Sequence, residues 1–409
     1  MDSSRKVPMQ VLVFCACAGV MLYGISAGIR SDIGILLNPI VHSSGQSYED
    51  VSFAIAIMQL MFGASQPFFG ILSMRRSNRL VLMIGICSYV IGLCMLPFVQ
   101  SLPAVITSVG FFLGAGAGAI SFGIILTSIV SLVGKRNAMI ISGILNASSG
   151  LGSTFFSPVM QSLLSIGGLP FTSLVLCIPT LILLPITYVL TRADSKKRQH
   201  ADKDEETEAI PVKQIFSEAF ANPSFRLLIC GFSTCGFHMV IIEAHLFSQF
   251  LSYGIEEQSA AWAFGVYGIA TICGAMASGI LCNHLHKGKM LGCIYGFRAI
   301  WVPFYVFLLP KTLFTAVVFA IGLGLTGDAT VSPTSGIVND TFTMKKVATL
   351  IGFLFFCHQI GAFFSAWLGG ICVDMTGNYI LVWILDIVLC LFASAASFKI
   401  PREEKGVLY

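Results

Sequence analysis

Long apolar runs constrain this chain more than any other feature of its sequence. Runs of about 18 or more mostly apolar residues recur along it, and that length is needed to cross the roughly 30 Å hydrocarbon core of a bilayer. Of the 409 residues, 56% are hydrophobic and only 11% are charged. Backbone polar groups cannot bond to water inside lipid, so helices that satisfy them internally are the expected spans. None of the runs alternates as barrel strands do, and the sequence therefore predicts an all-α membrane protein.

The apolar runs define the predicted spans and the organisation of the chain. We predict twelve transmembrane helices, at Met9–Leu37, Val51–Leu72, Leu80–Val99, Ala104–Leu132, Ala138–Leu163, Phe171–Leu190, Phe225–Phe250, Ser259–Cys282, Met290–Leu309, Leu313–Val338, Val347–Cys372 and Tyr379–Ile400. Charge dominates only one long stretch, residues 191–223, between the sixth and seventh spans. The prediction is an N-terminal bundle (residues 1–191), a cytoplasmic linker (192–223), and a C-terminal bundle (224–409) with a short cytoplasmic tail.

The two halves repeat one another. The chain reads G-I-L-S-M-R-R-S from Gly70, after the second span, and G-I-L-C-N-H-L-H from Gly279, after the eighth. Two sets of six spans in the same orientation are the internal symmetry of a transporter built from two parallel bundles. We therefore expect two six-helix bundles related by a pseudo-two-fold axis, with a substrate site near the membrane midplane between them.

Positive charge is distributed one-sidedly along the chain. Arg30 and Arg298 lie inside spans and Lys311 follows the ninth, whereas the other Lys and Arg residues lie in or beside the termini, the linker and the even-numbered loops. The opposite loops carry acidic residues such as Glu49 and Glu256. Cytoplasmic loops of membrane proteins are rich in Lys and Arg. Both termini and the linker are therefore predicted to be cytoplasmic, in a multi-pass protein of the cell (plasma or inner) membrane.

Ionisable residues within the spans are candidates for function, because they are costly at membrane depth. Arg30 is the strongest candidate for binding an anion, since a guanidinium takes a carboxylate in a bidentate fork and keeps its charge when buried. The alternative is that Arg30 extends to the lipid headgroups. His358 and His238 lie near the predicted midplane, counted at about 1.5 Å per residue. We predict that Arg30, His358 and His238 bind substrate; a neutral His358 bonded to Gln359 is the alternative for that residue.

Two carboxylates are candidates for proton coupling. Glu243 and Asp328 are the predicted carriers, since a carboxylate that is desolvated in a cavity can hold a proton. Packing, or a role in a closing gate, is the alternative for Glu243. Arg298 and Asp328 lie at similar depths in adjacent spans, and a structural ion pair between them is the favoured interpretation of Arg298. The sequence assigns no role to Asp32 or Asp386.

One loop carries a resemblance to a known family. The stretch from Gly70 to Arg79 resembles the cytoplasmic signature of the major facilitator superfamily, Gly-x-Leu-x-Asp-Arg-x-Gly-Arg-Arg. The residues that match it are Gly70, Leu72, Arg75 and Arg79. Met74 and Ser77 stand where the family has Asp and the second Gly. The resemblance implies the two-bundle fold of that superfamily and transport by alternating access.

Further stretches are similar to a bacterial branch near the monocarboxylate transporters and the oxalate–formate antiporters. They include G-I-R-S-D-I-G in the first span and F-F-C-H-Q-I-G-A in the eleventh. In those antiporters a lysine of the eleventh span binds the substrate carboxylate, and His358 stands at its place. Ala275 stands at the place of their eighth-span arginine. The resemblance implies that the substrate is a small organic anion of the carboxylate class, moved by symport or antiport.

The sequence speaks against other classes of function. It contains no nucleotide-binding loop and no nucleophile–base arrangement, so we expect no enzyme activity, and we expect a saturable carrier rather than a channel. The 13 cysteines lie in apolar runs without a pair at metal-ligand spacing, which predicts packing residues rather than a metal site. We expect no cofactor and no nucleic-acid partner. The expected partners are a small anionic substrate, the lipid bilayer and protons as a candidate coupling ion, and the expected functional unit is a monomer.

Secondary active transport of a small organic anion is thus the predicted function. The alternative that composition suggests is export of hydrophobic or drug-like compounds, because the chain contains 33 phenylalanines and 15 methionines.

Overall fold

The protein is helical wherever its structure is described. A computed structural model describes residues 8–134, 137–192 and 211–401, and the regular elements in these ranges are all helices. In chain order they are α1 (Met9–Ser31), α2 (Ile33–Ser44), α3 (Tyr48–Arg75), α4 (Asn78–Phe98), α5 (Leu102–Val133), α6 (Ala138–Leu190), α7 (Val212–Ala221), α8 (Pro223–Ser252), α9 (Glu257–Leu281), α10 (Lys287–Leu308), α11 (Leu313–Thr341), α12 (Met344–Thr376) and α13 (Ile380–Phe398).

These helices account for twelve membrane crossings. Eleven of them are long and apolar enough to span a membrane. The longest, α6, supplies two crossings because it breaks at Gly168, whose φ is 65° and ψ is −167°. A positive φ is unstrained for glycine alone, so the residue type makes this corner between the fifth and sixth predicted spans. The prediction of an all-α protein with twelve spans is confirmed. The first crossing is longer than predicted, because α2 continues α1 beyond Leu37 to Ser44.

Local signals in the sequence explain where the helices that carry the site begin. The Ser47 hydroxyl accepts a hydrogen bond of 3.0 Å from the Asp50 amide and caps α3. The Asn222 side chain accepts from the Ser224 amide at 2.8 Å and caps α8. Such caps satisfy amides that have no partner inside the helix. These caps set the first residues of α3 and α8, and therefore the positions of Gln59 and Glu243 along the helix axes.

The two bundles contact one another along three helix pairs, of which α2 on α8 is the smallest. The α3 helix packs on α12, and the first half of α6 packs on α9. The second contact is close, because a Cβ added to Gly150 would lie 2.6 Å from the Gly268 carbonyl oxygen, and one added to Gly268 would lie 2.6 Å from that of Gly150. Only glycine, which has no side chain, allows two helix backbones to approach this closely.

The two ends of the molecule differ in charge. The acidic face is the end at which α3 begins beside Glu49, α9 begins at Glu257 and α12 ends beyond Asp374. The basic face is the opposite end, where α3 ends at Arg75 and α12 begins beside Lys346.

The described part of the predicted linker contains one short helix on the basic face. The α7 helix packs on α12 through the aromatic pair Phe216–Phe353, whose ring centroids are 5.1 Å apart, and through an ion pair between Glu218 and Lys346. It packs on α8 through Phe220 and Phe225, whose ring centroids are 6.1 Å apart. Residues 193–210 of the predicted linker lie outside the described residues. The bundle boundaries at 191 and 224 stay predictions.

Candidate substrate site between the two bundles

A cation from the N-terminal half meets an anion from the C-terminal half between the bundles. Arg30, near the end of α1, donates from Nη1 to the Gln59 Oε1 at 2.9 Å and to the Glu243 Oε2 at 3.2 Å. The Arg30 guanidinium also lies 4.7 Å from the centre of the Phe62 ring. The Arg30 and Glu243 side chains are 14% and 7% exposed. This ion pair is therefore mostly dry but still accessible.

Gln59 of α3 completes this cluster. Its amide nitrogen donates to the Glu243 Oε2 at 3.1 Å, while its amide oxygen accepts from Arg30. Gln59 is fully buried, and both ends of its amide are thus satisfied by the ion pair. The sequence analysis missed Gln59, since a single uncharged amide within an apolar run gives no signal that separates it from ordinary packing.

Glu243 lies in a local distortion of α8. Residues Ile242–Leu246 form a π-helical turn within this helix. An extra residue in one turn changes the direction of the side chains that follow, and such bulges are frequent at functional sites. The distortion begins one residue before Glu243, and it also includes His245. A regular helical period of 3.6 residues, applied to the sequence, does not predict this change in side-chain direction.

Asp328 lies at a break in α11. The helix is interrupted at Gly327, whose ψ is −85°, and Asp328 begins a single 3-10 turn that ends at Thr330. The Asp328 carboxylate is partly buried, and within the described chain it has neither a hydrogen bond nor an ion pair. It interacts electrostatically with Glu243, His358, Arg30 and Arg298.

Arg298 of α10 holds the broken turn instead of pairing with Asp328. Its Nη2 donates to the carbonyl oxygens of Thr326 and of Gly327, the latter at 3.0 Å, and its Nη1 donates to the Cys235 Sγ at 3.6 Å. No ion pair joins Arg298 to Asp328, although both are in the described ranges, so the predicted structural ion pair is wrong. A break in a helix leaves carbonyls without partners, and the guanidinium, a rigid fork of five donors, satisfies them.

His358 of α12 lies beside the same space. Its Nδ1 is 3.4 Å from the Gln359 amide nitrogen, and its ring centroid is 5.0 Å from that of Phe232. The imidazole interacts electrostatically with Glu243, Asp328 and Arg30. The structure therefore brings together four of the predicted site residues, namely Arg30, Glu243, Asp328 and His358.

His238 does not join them. Its Nδ1 is 2.8 Å from the Asp386 Oδ2, and both side chains are fully buried between α8 and α13. The prediction that His238 binds substrate conflicts with this position, because the α8 face that carries it packs against α13 in the core of the C-terminal bundle. The ligand atoms of His238, Asp386 and Cys390 lie within 4.8 Å of one another, a spacing that a metal ion could bridge. The 2.8 Å separation is that of a direct hydrogen bond, so we interpret the group as hydrogen-bonded.

Asp32 is also held within one bundle. It is fully buried at the junction of α1 and α2, and its Oδ1 accepts a hydrogen bond of 2.5 Å from the Ser153 hydroxyl of α6. Asp32 and Arg30 are two residues apart and lie on different sides of the helix, so they do not share partners. The contact of Asp32 links α1 to α6.

A hydrogen-bond chain joins the bundles at the acidic face. The Tyr48 hydroxyl is 3.1 Å from the His245 Nδ1 and 3.0 Å from the Tyr379 hydroxyl. The His245 Nε2 is 2.8 Å from the Ala366 carbonyl oxygen. A carbonyl only accepts, so Nε2 carries a hydrogen and Nδ1 accepts from Tyr48 when the ring is neutral. Sequence reasoning missed Tyr48 and Tyr379, which come from opposite ends of the chain.

Other contacts close the acidic face further. The Glu49 amide donates to the Asp374 carboxylate at 2.9 Å, and the Gln161 amide donates to the Glu257 carboxylate at 2.7 Å. Toward the basic face, a Cβ added at Gly143 of α6 or Gly352 of α12 would meet no atom within 4 Å. The site is thus closed at the acidic face.

Comparison with known proteins identifies the family. The model of the Major Facilitator Superfamily matches residues 12–291 and 246–408. The chain belongs to the major facilitator superfamily. This superfamily and the relatives below consist of transporters, not enzymes, and the chain is an integral, multi-pass membrane protein.

Curated relatives of this major facilitator protein are distant but span most of it. The uncharacterized MFS-type transporter YcxA of Bacillus subtilis is 21% identical, with 95% of this chain and 94% of that protein covered. Monocarboxylate transporter 12 of Mus musculus is 23% identical, with 85% and 77% covered. The oxalate:formate antiporter of Oxalobacter formigenes is 21% identical, with 96% and 93% covered.

Solved structures support the same fold. The nucleoside transporter NupG superposes with a TM-score of 0.76 at 16% identity, covering 96% of this chain and all of that one. The D-xylose-proton symporter superposes with a TM-score of 0.73 at 13% identity, covering 98% of this chain and all of that one. These likenesses establish the major facilitator architecture alone.

The signature loop of the superfamily connects α3 to α4 in this structure. Gly70, Leu72 and Arg75 lie in the last turns of α3. The Arg79 guanidinium, in the first turn of α4, lies 3.8 Å from the centre of the Tyr188 ring near the end of α6. This cation–π contact ties the loop to the sixth crossing within the N-terminal bundle.

Proposed function

We propose that this protein is a secondary transporter that moves a small organic anion of the carboxylate class by alternating access. One observation carries the proposal: the accessible ion pair between Arg30 and Glu243 joins the two bundles. Monocarboxylate transporters and an oxalate:formate antiporter are among the distant relatives, and their names favour this substrate class.

The substrate carboxylate competes with Glu243 for Arg30. A guanidinium has five donors, and in this structure Nη1 serves Gln59 and Glu243 while Nη2 has only a 3.5 Å contact with the Ser31 hydroxyl. Donors of Arg30 therefore stay available for a bidentate contact with an incoming anion. When the anion displaces Glu243 from Arg30, the Glu243 carboxylate loses the cation that balances its charge. An unbalanced charge in a dry site is costly unless the carboxylate binds a proton.

Proton coupling follows from this competition. A proton on Glu243 favours anion binding at Arg30, because the neutral carboxyl no longer needs Arg30 as its partner. An anion bound at Arg30 likewise favours protonation of Glu243. Asp328 is the second candidate carrier, since its partly buried carboxylate has no hydrogen bond or ion pair within the described chain. His358 supplies a contact from the C-terminal bundle, so a bound anion bridges both halves and favours closure around itself.

Alternating access requires the acidic face to open. The contacts of Tyr48 with His245 and Tyr379 would then break, while the basic face closes. Because Lys and Arg concentrate on the basic face, we propose that this face is cytoplasmic and that the structure corresponds to an inward-facing state. A cysteine introduced at Gln258 should react with an impermeant reagent from outside the cell; reaction only after permeabilisation would reverse the orientation.

Reconstitution in liposomes tests the function. The purified protein should show saturable uptake of a small carboxylate and counterflow, whereas a channel would give linear flux. A thermal-shift screen of carboxylates identifies the ligand first, since binding to the folded state raises its apparent stability. Arg30→Ala should abolish uptake of that ligand, and His358→Gln should reduce it. Parental transport of every tested anion by both variants would overturn the anion site and favour export of hydrophobic compounds.

A further inference from the structure

A groove on the outer surface of the C-terminal bundle is separate from the substrate site. It lies between α9, α10 and α11, near the basic face, and has a volume of about 450 Å³. Its walls are mainly apolar and include Ala277 and Leu281 of α9, Met290 of α10 and Leu325 of α11. Leu281 and Leu325 are each 44% exposed. Since α9, α10 and α11 all cross the membrane, this exposed apolar surface is suited to contact with lipid acyl chains.

Positive charge lines the rim of this groove. Lys289 and His286 are its two basic lining residues, at the start of α10. Lys289 is exposed and has no carboxylate partner within the described chain, whereas Lys287 beside it pairs with Asp340. The His286 Nδ1 accepts from the Lys289 backbone amide at 3.3 Å, which leaves its Nε2 free to face a ligand. The rim thus presents an uncompensated cation at the membrane surface.

We propose that this groove binds an anionic phospholipid from the leaflet at the basic face. The phosphate bonds to Lys289 and His286, and one acyl chain occupies the apolar walls. Basic pockets between transmembrane helices are suited to anionic headgroups, and a neutral lipid would leave Lys289 uncompensated. The combination of charge at the rim and apolar surface below it matches a lipid and not a soluble anion.

The groove also contacts the broken turn of α11. Ser278 of α9 and Ala329 of α11 both line it, and the Ser278 hydroxyl donates to the Ala329 carbonyl oxygen. Ala329 follows Asp328 directly. A lipid in the groove therefore packs against the segment that carries Asp328 and stabilises the folded C-terminal bundle.

Thermal unfolding in neutral detergent tests the proposal. Dioleoyl phosphatidylglycerol should raise the melting temperature of the full chain more than dioleoyl phosphatidylcholine. The difference between the two lipids should disappear in Lys289→Gln, which removes the charge, and in Ala277→Phe, which fills the groove. It should persist in Lys345→Gln, a lysine exposed at the same face outside the groove, and in Cys273→Phe, an exposed residue of α9 outside it.

Three results would overturn the proposal. The first is an equal lipid difference in all four variants, which would indicate general attraction to a basic surface. The second is the same stabilisation by glycerol 3-phosphate, which carries the headgroup chemistry without acyl chains. The third result applies if Ala277→Phe does not fold. Native mass spectrometry of Lys289→Gln then replaces that variant, and retention of phosphatidylglycerol at the parental level would overturn the proposal.

Discussion

One polar pair within the membrane lies between the two bundles, and another is enclosed in the C-terminal bundle. Arg30–Glu243 lies between the bundles, with an N–O distance of 3.2 Å and side chains that are 14% and 7% exposed. His238–Asp386 lies inside the C-terminal bundle, at 2.8 Å and with no exposure. Both Glu243 and His238 belong to α8, five residues apart, so one helix contributes to both pairs.

The difference separates candidates for function from residues that stabilise. A pair that joins two moving bodies must break when they separate, and a substrate can then take the place of one member. A pair enclosed within one body stays intact through the cycle and has no access to substrate. Charge at membrane depth is thus insufficient to indicate a binding role; the packing around the pair decides it.

The largest effect on stability is expected at the enclosed pair. His238→Ala leaves the Asp386 carboxylate buried without its partner, which should destabilise the fold by about 3–5 kcal/mol. His284→Ala, at an exposed histidine beyond the end of α9, is the control and should change little. Thermal unfolding measures both variants.

A double replacement sharpens this test. His238→Phe combined with Asp386→Leu removes both polar side chains and should recover part of the lost stability, since apolar residues can replace a buried polar pair. If folded His238→Ala loses substrate affinity as completely as Arg30→Ala does, the enclosed pair is not merely structural and the comparison fails.

At the pair between the bundles, the expected effect is on binding. Arg30→Lys keeps the charge but loses the fork, and should weaken anion binding by roughly 1–3 kcal/mol. Titration with the ligand from the carboxylate screen measures the dissociation constant. Arg79→Lys is a matched control, because the Arg79 guanidinium contacts Tyr188 inside one bundle. Equal weakening in both variants would indicate a general loss of structure rather than loss of an anion contact.

Coupling should depend on the acidic member of the same pair. Glu243→Gln keeps the shape and the hydrogen bonds to Arg30 but cannot exchange a proton. Uptake should no longer be stimulated by a proton gradient, while counterflow continues. Glu257→Gln is the control, since Glu257 bonds to Gln161 at the acidic face. If Glu243→Gln keeps its gradient response and Asp328→Asn loses it, Asp328 is the proton carrier instead.

The smallest effect is expected where α7 meets the C-terminal bundle. Hydrogen bonds from Lys346 and Gln214 lower the pKa of the Glu218 carboxyl. A carboxyl whose pKa is lower in the folded state stabilises that state at pH values above its ordinary pKa of about 4.3. This contribution is lost as the pH falls through the lowered pKa. Because Glu218 is exposed, Glu218→Gln should only slightly increase protease cleavage near α7 at neutral pH. A large loss of transport in this variant would show that α7 has a role in the cycle.

Several residues of the candidate site were recognisable without a structure. Arg30, Glu243, Asp328 and His358 stand out because an ionisable group is rare and costly in lipid. Gln59, Tyr48 and Tyr379 were missed, since uncharged polar side chains in helices give no comparable signal. The position of His238 inside the C-terminal bundle was not predicted, because depth along a helix does not reveal which side of the helix faces the cavity.

The sequence by itself determined the number of crossings, their helical character and the family. Hydrocarbon thickness sets a minimum length for an apolar run, and this physical requirement acts on each segment separately. Only the tertiary structure decided which charges meet. Arg30 and Glu243 are 213 residues apart and His238 and Asp386 are 148 apart, and their pairing depends on how helices rotate and pack. The break in α11 likewise directs Arg298 to backbone carbonyls, because unsatisfied carbonyls in a dry interior attract the nearest donors.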